Sequence, residues 1–491
     1  MKHRERIQAA NEYISSPQAR LKNERYRLAY HVMPPAGWMN DPNGLVYYNG
    51  EYHAFYQHYP FRPNHGPMYW GHVRSSDLVH WEHLPVALAP SEPYDLGASG
   101  GYGCWSGSAV CDDGGKLVLI YTGHVDGRMP EEAQCLAYSE DGVHFEKYAG
   151  NPVVSGPPEE GCFGFRDPKV WKRGDTWFMV VGSGKDGLGR GLLYKSGNLR
   201  DWSYAGVAAE SDGTRGNMWE CPDLFPLGEN DEHTLIISPM NMDGAKNYYI
   251  SGSFDYESGK LDEIYADRLD YGFDFYAPQT FADGRGRRIL IAWMNIWGAR
   301  MPEQEDGWMG ALTVPRELTR ASDGSVRMQP VEELKALRSV RYALGSQTIG
   351  ADRITPLPGI RGDVLEIVAV FDLKDADARE FGLRLRCSSD GDQYTEIRYT
   401  VAGRKLSVDR ERAGHGDGGI SEAVVEPSAD GALKLHLFLD RSSVELFAND
   451  GVRTITNRIY PDPDSLGVQL FSRGGEARLI SLDAWELKPI W

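Results

Sequence analysis

Three carboxylates sit in unusual company. Asp41 lies in the run Trp38, Met39, Asn40, Asp41, Pro42, Asn43, Gly44; Asp167 follows Arg166 and precedes Pro168; Glu220 stands between Trp219 and Cys221, two residues before Pro222. A single Asp before Pro is ordinarily a turn former, but three carboxylates in related settings point to a shared task. Two carboxyl groups on opposite sides of a glycosidic bond are the least a protein needs to hydrolyse it. One attacks or activates water and the other protonates the leaving oxygen. A third can hold sugar hydroxyls. Gathering like charges in one cleft is costly unless a cation or a shared proton relieves the repulsion, and Arg166 beside Asp167 is suited to that. Near the same points of the chain, Trp38, Trp70, Trp105 and Trp293 offer apolar faces for sugar C–H groups, and Asn40, Gln57 and Ser106 offer hydrogen bonds to hydroxyls.

Residues so far apart need a scaffold that returns to one place. Five short apolar runs supply a candidate: YHAFYQHY from Tyr52, KLVLIYTG from Lys116, TWFMVVGS from Thr176, HTLIISPM from His233 and RRILIAWM from Arg288, with starts 64, 60, 57 and 55 residues apart. Such runs, rich in aromatic and β-branched residues, read as strands buried on both faces. A repeat of roughly 60 residues has room for four short strands, which is one propeller blade. Asp41, Asp167 and Glu220 precede the first, third and fourth runs by 11, 9 and 13 residues. That places them on the innermost strands of three blades, converging on one mouth of the axial channel. The turns SDLVHWE from Ser76, SEDGVHFE from Ser139 and SGNLRDWS from Ser196 read as outer turns of successive blades, with Trp81, Phe145 and Trp202 as packing residues.

After about residue 320 the pattern changes. VEELKALR from Val331 reads as a short helix, the stretch to Gly362 as connection, and the alternations from Leu365, Phe381 and Leu433 as half-buried antiparallel strands of a β-sandwich. Ile7, Ala10, Tyr13 and Ile14 have helical spacing, so residues 4–16 should form a helix laid on the propeller. The expected fold is all-β: a helical extension at 1–25, a five-bladed β-propeller at 26–335, a linker at 336–360 and a β-sandwich at 361–491.

The composition agrees. Gly 56, Tyr 26 and Trp 13 in 491 residues describe a turn-rich, aromatic-rich chain, and a net charge of -18 repels nucleic acid and anionic lipid. The start MKHRERIQAANEYISS carries charges where an export segment needs an apolar stretch, and the six cysteines form no C-x-x-C pair, so a cytoplasmic protein with reduced thiols is expected. Gly182, Gly184 and Gly187 match G-x-G-x-x-G, but no helix follows, and a blade turn is the better reading. His53, His58, His65 and His72 lack metal-ligand spacing and read as structural. Cys221 suits either a small buried filler or a tuner of its neighbour Glu220. No metal or cofactor is needed for this chemistry.

The segments WMNDPNG at Trp38, FYQ at Phe55, WGH at Trp70, WSGS at Trp105, FRDP at Phe165, WECPD at Trp219, DFYAPQ at Asp274, GWMGALTVPREL at Gly307 and DRSSVELFANDG at Asp440 closely resemble glycoside hydrolase family 32, the invertases and fructan hydrolases. The resemblance covers nearly the whole chain in order. It implies a five-bladed propeller followed by a sandwich, and retaining hydrolysis of a terminal β-fructofuranoside through a covalent fructosyl-enzyme. On matching positions it makes Asp41 the nucleophile, Glu220 the acid and base, and Asp167 the residue that holds fructose hydroxyls. Asn40, Gln57, Trp70, Trp105, Ser106, Arg166 and Trp293 fall at fructose-binding positions. Trp105 departs from the Phe that many members carry there. The implied partner is a small sugar: sucrose, sucrose-6-phosphate or a short fructo-oligosaccharide. Fructan hydrolysis or fructosyl transfer by the same residues, and a non-catalytic sugar-binding propeller, are the competing readings; oligomeric state is left open.

Overall fold

The computed structural model describes residues 1–229, 231–242, 246–374 and 377–491. Within these, five sheets of four antiparallel strands follow one another along the chain, the first extended by Trp308–Met309 pairing parallel to its innermost strand. Their first strands are Gly37–Tyr48, Tyr102–Cys111, Phe165–Arg173, Met218–Pro226 and Tyr276–Ala282. Each touches the next, and the fifth touches the first, which closes a five-bladed propeller. The apolar runs are the second strands, Glu51–Tyr59, Leu117–Val125, Thr176–Lys185, Glu232–Met240 and Arg288–Trp293. Packing between neighbouring blades buries both of their faces, so their sequence is continuous rather than alternating.

The three serine turns join third to fourth strands. Asp77 accepts hydrogen bonds from the backbone of Val79 and His80, Asp141 from Val143 and His144, and Asn198 from Arg200 and Asp201. The amino-terminal helix spans His3–Ile14 and seats Ala10, with Ile7 and Ile14 beside it, against Tyr69, Val86 and Ala89 of the first blade.

A seven-stranded and a six-stranded sheet make the sandwich. Leu365, Ile367, Phe371, Leu383, Leu385 and Leu433 point inward into one core, as the alternation requires. Two expectations are corrected. The helix at Val331 is a 3-10 turn, Glu332–Leu337, long enough only to bury Leu334 and Leu337. The stretch 336–360 is not a bare linker: Arg338–Leu344 and Gln347–Ile349 pair with Ala477–Leu487, and Ile354–Arg361 pairs with Gly467–Arg473. These are edge strands, largely exposed and without apolar alternation, and Pro358 falls in a break of register, where a missing N–H does no harm.

Candidate active site

Every first strand of the propeller is interrupted at the same level. The ladder slips between Met39 and Pro42, Trp105 and Gly107, Glu220 and Asp223, and Tyr276 and Gln279, and the partner of Phe165–Arg173 slips between Val180 and Gly182. A bulge re-aims side chains that a regular strand would direct between the blades. Pro42, Pro168, Pro222 and Pro278 sit at four of these irregularities, where no ladder N–H is required. Asp167, Cys221 and Ala277 take positive φ values of 66°, 48° and 49°, a backbone conformation that side chains rarely adopt. The five bulges turn Asp41, Ser106, Asp167, Glu220 and Tyr276 into one cavity of about 460 Å³.

Asp41 and Asp167 are buried, at 8 and 4 % exposure. Asp41 accepts hydrogen bonds from Asn40 Nδ2 at 3.1 Å and Ser106 Oγ at 2.9 Å. Asn40 is itself oriented by Trp38, whose indole N–H donates to its carbonyl oxygen at 2.6 Å. Burial nevertheless outweighs these donors and, with the charge of Glu220, raises the Asp41 carboxyl to about 6. Asp167 accepts from the Cys221 backbone N–H at 2.8 Å. Burial and the nearby carboxylates of Glu220 and Asp41 push its pKa upward, against the pull of Arg166. Cys221 is buried in an apolar cluster, as the filler reading expects, and its thiol stands 3.6 Å from Asp41 and 3.5 Å from Asp167.

Glu220 is gripped from two sides. Arg166 Nε and Nη2 donate to Oε1 at 3.0 and 2.9 Å, and the Tyr276 hydroxyl donates to Oε2. Arg166 also binds Glu132 at 2.9 Å. Burial favours the neutral form of Glu132, but the guanidinium holds its carboxylate down to about 2. The arginine thus pairs with both glutamates beside the Asp pair, and its positive charge lowers the cost of assembling the carboxyl groups.

Asn40, Asp41, Gln57, Trp105, Ser106, Arg166, Asp167 and Glu220 line the cavity together. Trp38, Trp70 and Trp293, expected as sugar platforms, do not line it; they are buried behind its wall. The Trp70 indole donates to the Trp105 carbonyl at 3.2 Å, while Trp38 and Trp293 pack 5.7 and 5.0 Å from Trp297. Trp105 and Trp297 are the tryptophans on the wall, and Trp105 stacks on His124 with ring centroids 3.5 Å apart. Tyr276, Trp297 and His65 were missed. Tyr276 had a signal, since it lies 12 residues before the fifth run and precedes Ala277-Pro278. His65, set aside as structural, faces the cavity from the turn after the second strand of the first blade; nothing local in the sequence marked it.

Residues 31–330 match the family described as Glycosyl hydrolases family 32 N-terminal domain, and residues 333–486 match Glycosyl hydrolases family 32 C terminal. A sucrose-6-phosphate hydrolase of Escherichia coli is 40% identical over 98% of this chain and 99% of its own length. A raffinose invertase of Escherichia coli is 40% identical over 99% of this chain and all of its own. Among solved structures, a Bombyx mori GH32 beta-fructofuranosidase mutant in complex with sucrose superposes with a TM-score of 0.84, at 36% identity and 99% coverage of both chains.

Proposed function

The chain belongs to glycosyl hydrolase family 32, and from that premise we propose that it cleaves the terminal β-fructofuranoside of sucrose or sucrose-6-phosphate with retention of configuration. The observation that carries this reading is that Asp41 and Glu220, from blades one and four, open into a single cavity with Asp167 and Arg166 between them. Its volume suits a disaccharide-sized ligand.

In this reading Asp41, oriented by Asn40 and Ser106, attacks the anomeric carbon of fructose. Glu220 delivers a proton to the leaving glucosyl oxygen, so the C–O bond breaks heterolytically and the sugar departs neutral. Water then attacks the fructosyl ester while Glu220 takes back a proton, and the second inversion restores the original configuration. Asp167 accepts hydroxyls of the fructosyl ring, and Arg166 steadies both Glu220 and the accumulated negative charge. Trp105 and Trp297 provide apolar walls. We place the activity in the cytoplasm, which suits the six free cysteines.

The test compares kcat/KM for sucrose, sucrose-6-phosphate, raffinose, inulin and levan, with Asp41→Asn alongside. A preference above about tenfold, roughly 1.4 kcal/mol of transition-state binding, assigns the substrate. Asp41→Asn should lose turnover on all of them while keeping the fold; wild-type activity in that variant would refute the assignment. Glucose released in excess of free fructose would instead mark fructosyl transfer.

A further inference from the structure

Among the described residues none of the sandwich lines the cavity, yet the sandwich holds two segments of its wall, one of which reaches Glu220. The first runs from Tyr271 to Tyr276. Tyr271 N–H donates to Thr454 O at 2.9 Å, Phe273 N–H to Asn457 Oδ1 at 2.9 Å and Asp274 N–H to Thr456 O at 3.2 Å, so this propeller segment lies along the sandwich strand Arg453–Arg458. Gly272 is pressed so close that a Cβ there would stand 1.9 Å from Thr456 O. The buried Asp274 carboxylate then receives Arg410 Nη1 at 2.6 Å and Arg458 N–H at 2.8 Å. Two residues further on, the Tyr276 hydroxyl meets Glu220. The second segment is held by Arg458 Nη1, which donates to Asn295 Oδ1 at 3.0 Å; Ile296 and Trp297, the next two residues, line the cavity. The arginines are joined as well, since Arg410 Nη1 also donates to Arg458 O at 3.1 Å.

We infer that Arg410 is a positioning residue for proton delivery: through Asp274 it fixes Tyr276 against Glu220, making the sandwich part of the catalytic apparatus. This rests on Glu220 being the acid of the preceding reading. Arg410 stands at the far side of Asp274 from the reacting atoms, and its effect must pass through the phenol of Tyr276. A proton donor out of register matters where the leaving oxygen is a poor leaving group, as in sucrose, and matters little where the leaving group departs unaided.

The experiment measures kcat/KM of wild type, Arg410→Gln, Tyr276→Phe and the double variant on sucrose and on p-nitrophenyl β-fructofuranoside. Arg410→Gln should lose roughly tenfold on sucrose and less than about twofold on the aryl fructoside. Tyr276→Phe should show the same selectivity, and the double variant should be no worse than the weaker single one, because the two act in series. Arg410→Lys, which keeps a charge on Asp274 and so protects folding, should recover part of the loss on sucrose. Equal loss on both substrates, no loss on either, or multiplying effects in the double variant would each overturn the inference. A wild-type protein inactive on both substrates would overturn the catalytic reading, and this inference with it.

Discussion

Asp41 is caught between two demands. An attacking carboxylate must be ionised, yet its setting of buried side chains and a second carboxylate raises it to about 6. The acid limb of kcat/KM should therefore fall near pH 6 rather than near 4. Ser106 donates to the ionised form and holds the value down, so Ser106→Ala should move that limb to higher pH by roughly one unit. A limb that stays in place in a pH–rate profile of this variant would separate Ser106 from the nucleophile. The same shift has a stability consequence. The folded state binds this proton more tightly than the unfolded chain, so stability is lost as pH rises from about 4 to 6. Asp41→Asn removes the buried charge and should stabilise the protein at pH 7 by about 1–3 kcal/mol, a gain that disappears below pH 4. Thermal melts at the two pH values check this; equal melting temperatures of variant and wild type at pH 7 would count against it.

The strands that position these groups are specified by both glycine and proline. Gly182, on the second strand of the third blade, has no room for a side chain, because a Cβ would stand 2.0 Å from the carbonyl oxygen of Trp219. Gly184 meets Asn217 O in the same way. These are two members of the G-x-G-x-x-G pattern, explained by close approach to the strand that carries Glu220. Gly182→Ala must push that strand away, so it should destabilise the fold by roughly 1–3 kcal/mol and lower kcat/KM by a larger factor than a Gly→Ala change at the solvent-open Gly197, where a Cβ would meet nothing within 4 Å. Urea denaturation and sucrose kinetics on the pair of variants test it, and matching activities would sink the claim. The blade count, the level of the three carboxylates and the sandwich strands were legible because runs, X-Pro steps and period-2 alternation are local features. Of the two wall tryptophans, Trp105 was legible and Trp297 was not. Trp70 and Trp293 look like platforms in sequence because type and position along the chain do not say which face of a bulged strand a side chain takes. His65 escaped because a turn residue aimed into the cavity carries no periodic signal, and the edge strands at 338–361 escaped because one open side erases the alternation.

Across the whole molecule, the propeller and sandwich are joined by charges from opposite ends of the chain. His31 is fully buried with Nδ1 2.7 Å from Asp440 and Nε2 2.7 Å from Glu445. Glu445 also takes Arg316 at 2.6 Å, and Arg316 reaches Asp270 at 3.0 Å. Asp440 further accepts the backbone N–H groups of Ala29 and Tyr30. Nothing near His31 in sequence announces this, since its partners lie more than 400 residues away. Burial alone would drive the imidazole neutral, but its two carboxylate partners prevail and raise it to about 9. The proton is therefore bound more tightly in the folded state than in the unfolded chain. Its stabilisation is fully present below pH 6.5 and is lost as pH rises through 9, about 3 kcal/mol in all. His31→Gln cannot carry the charge, so it should be less stable than wild type at pH 6 and close to it at pH 10. Urea unfolding followed by tryptophan fluorescence at pH 6, 8 and 10 reads the difference. If the gap between the two proteins is the same at all three values, His31 is a neutral packing residue and the junction is held by the arginine pairs alone.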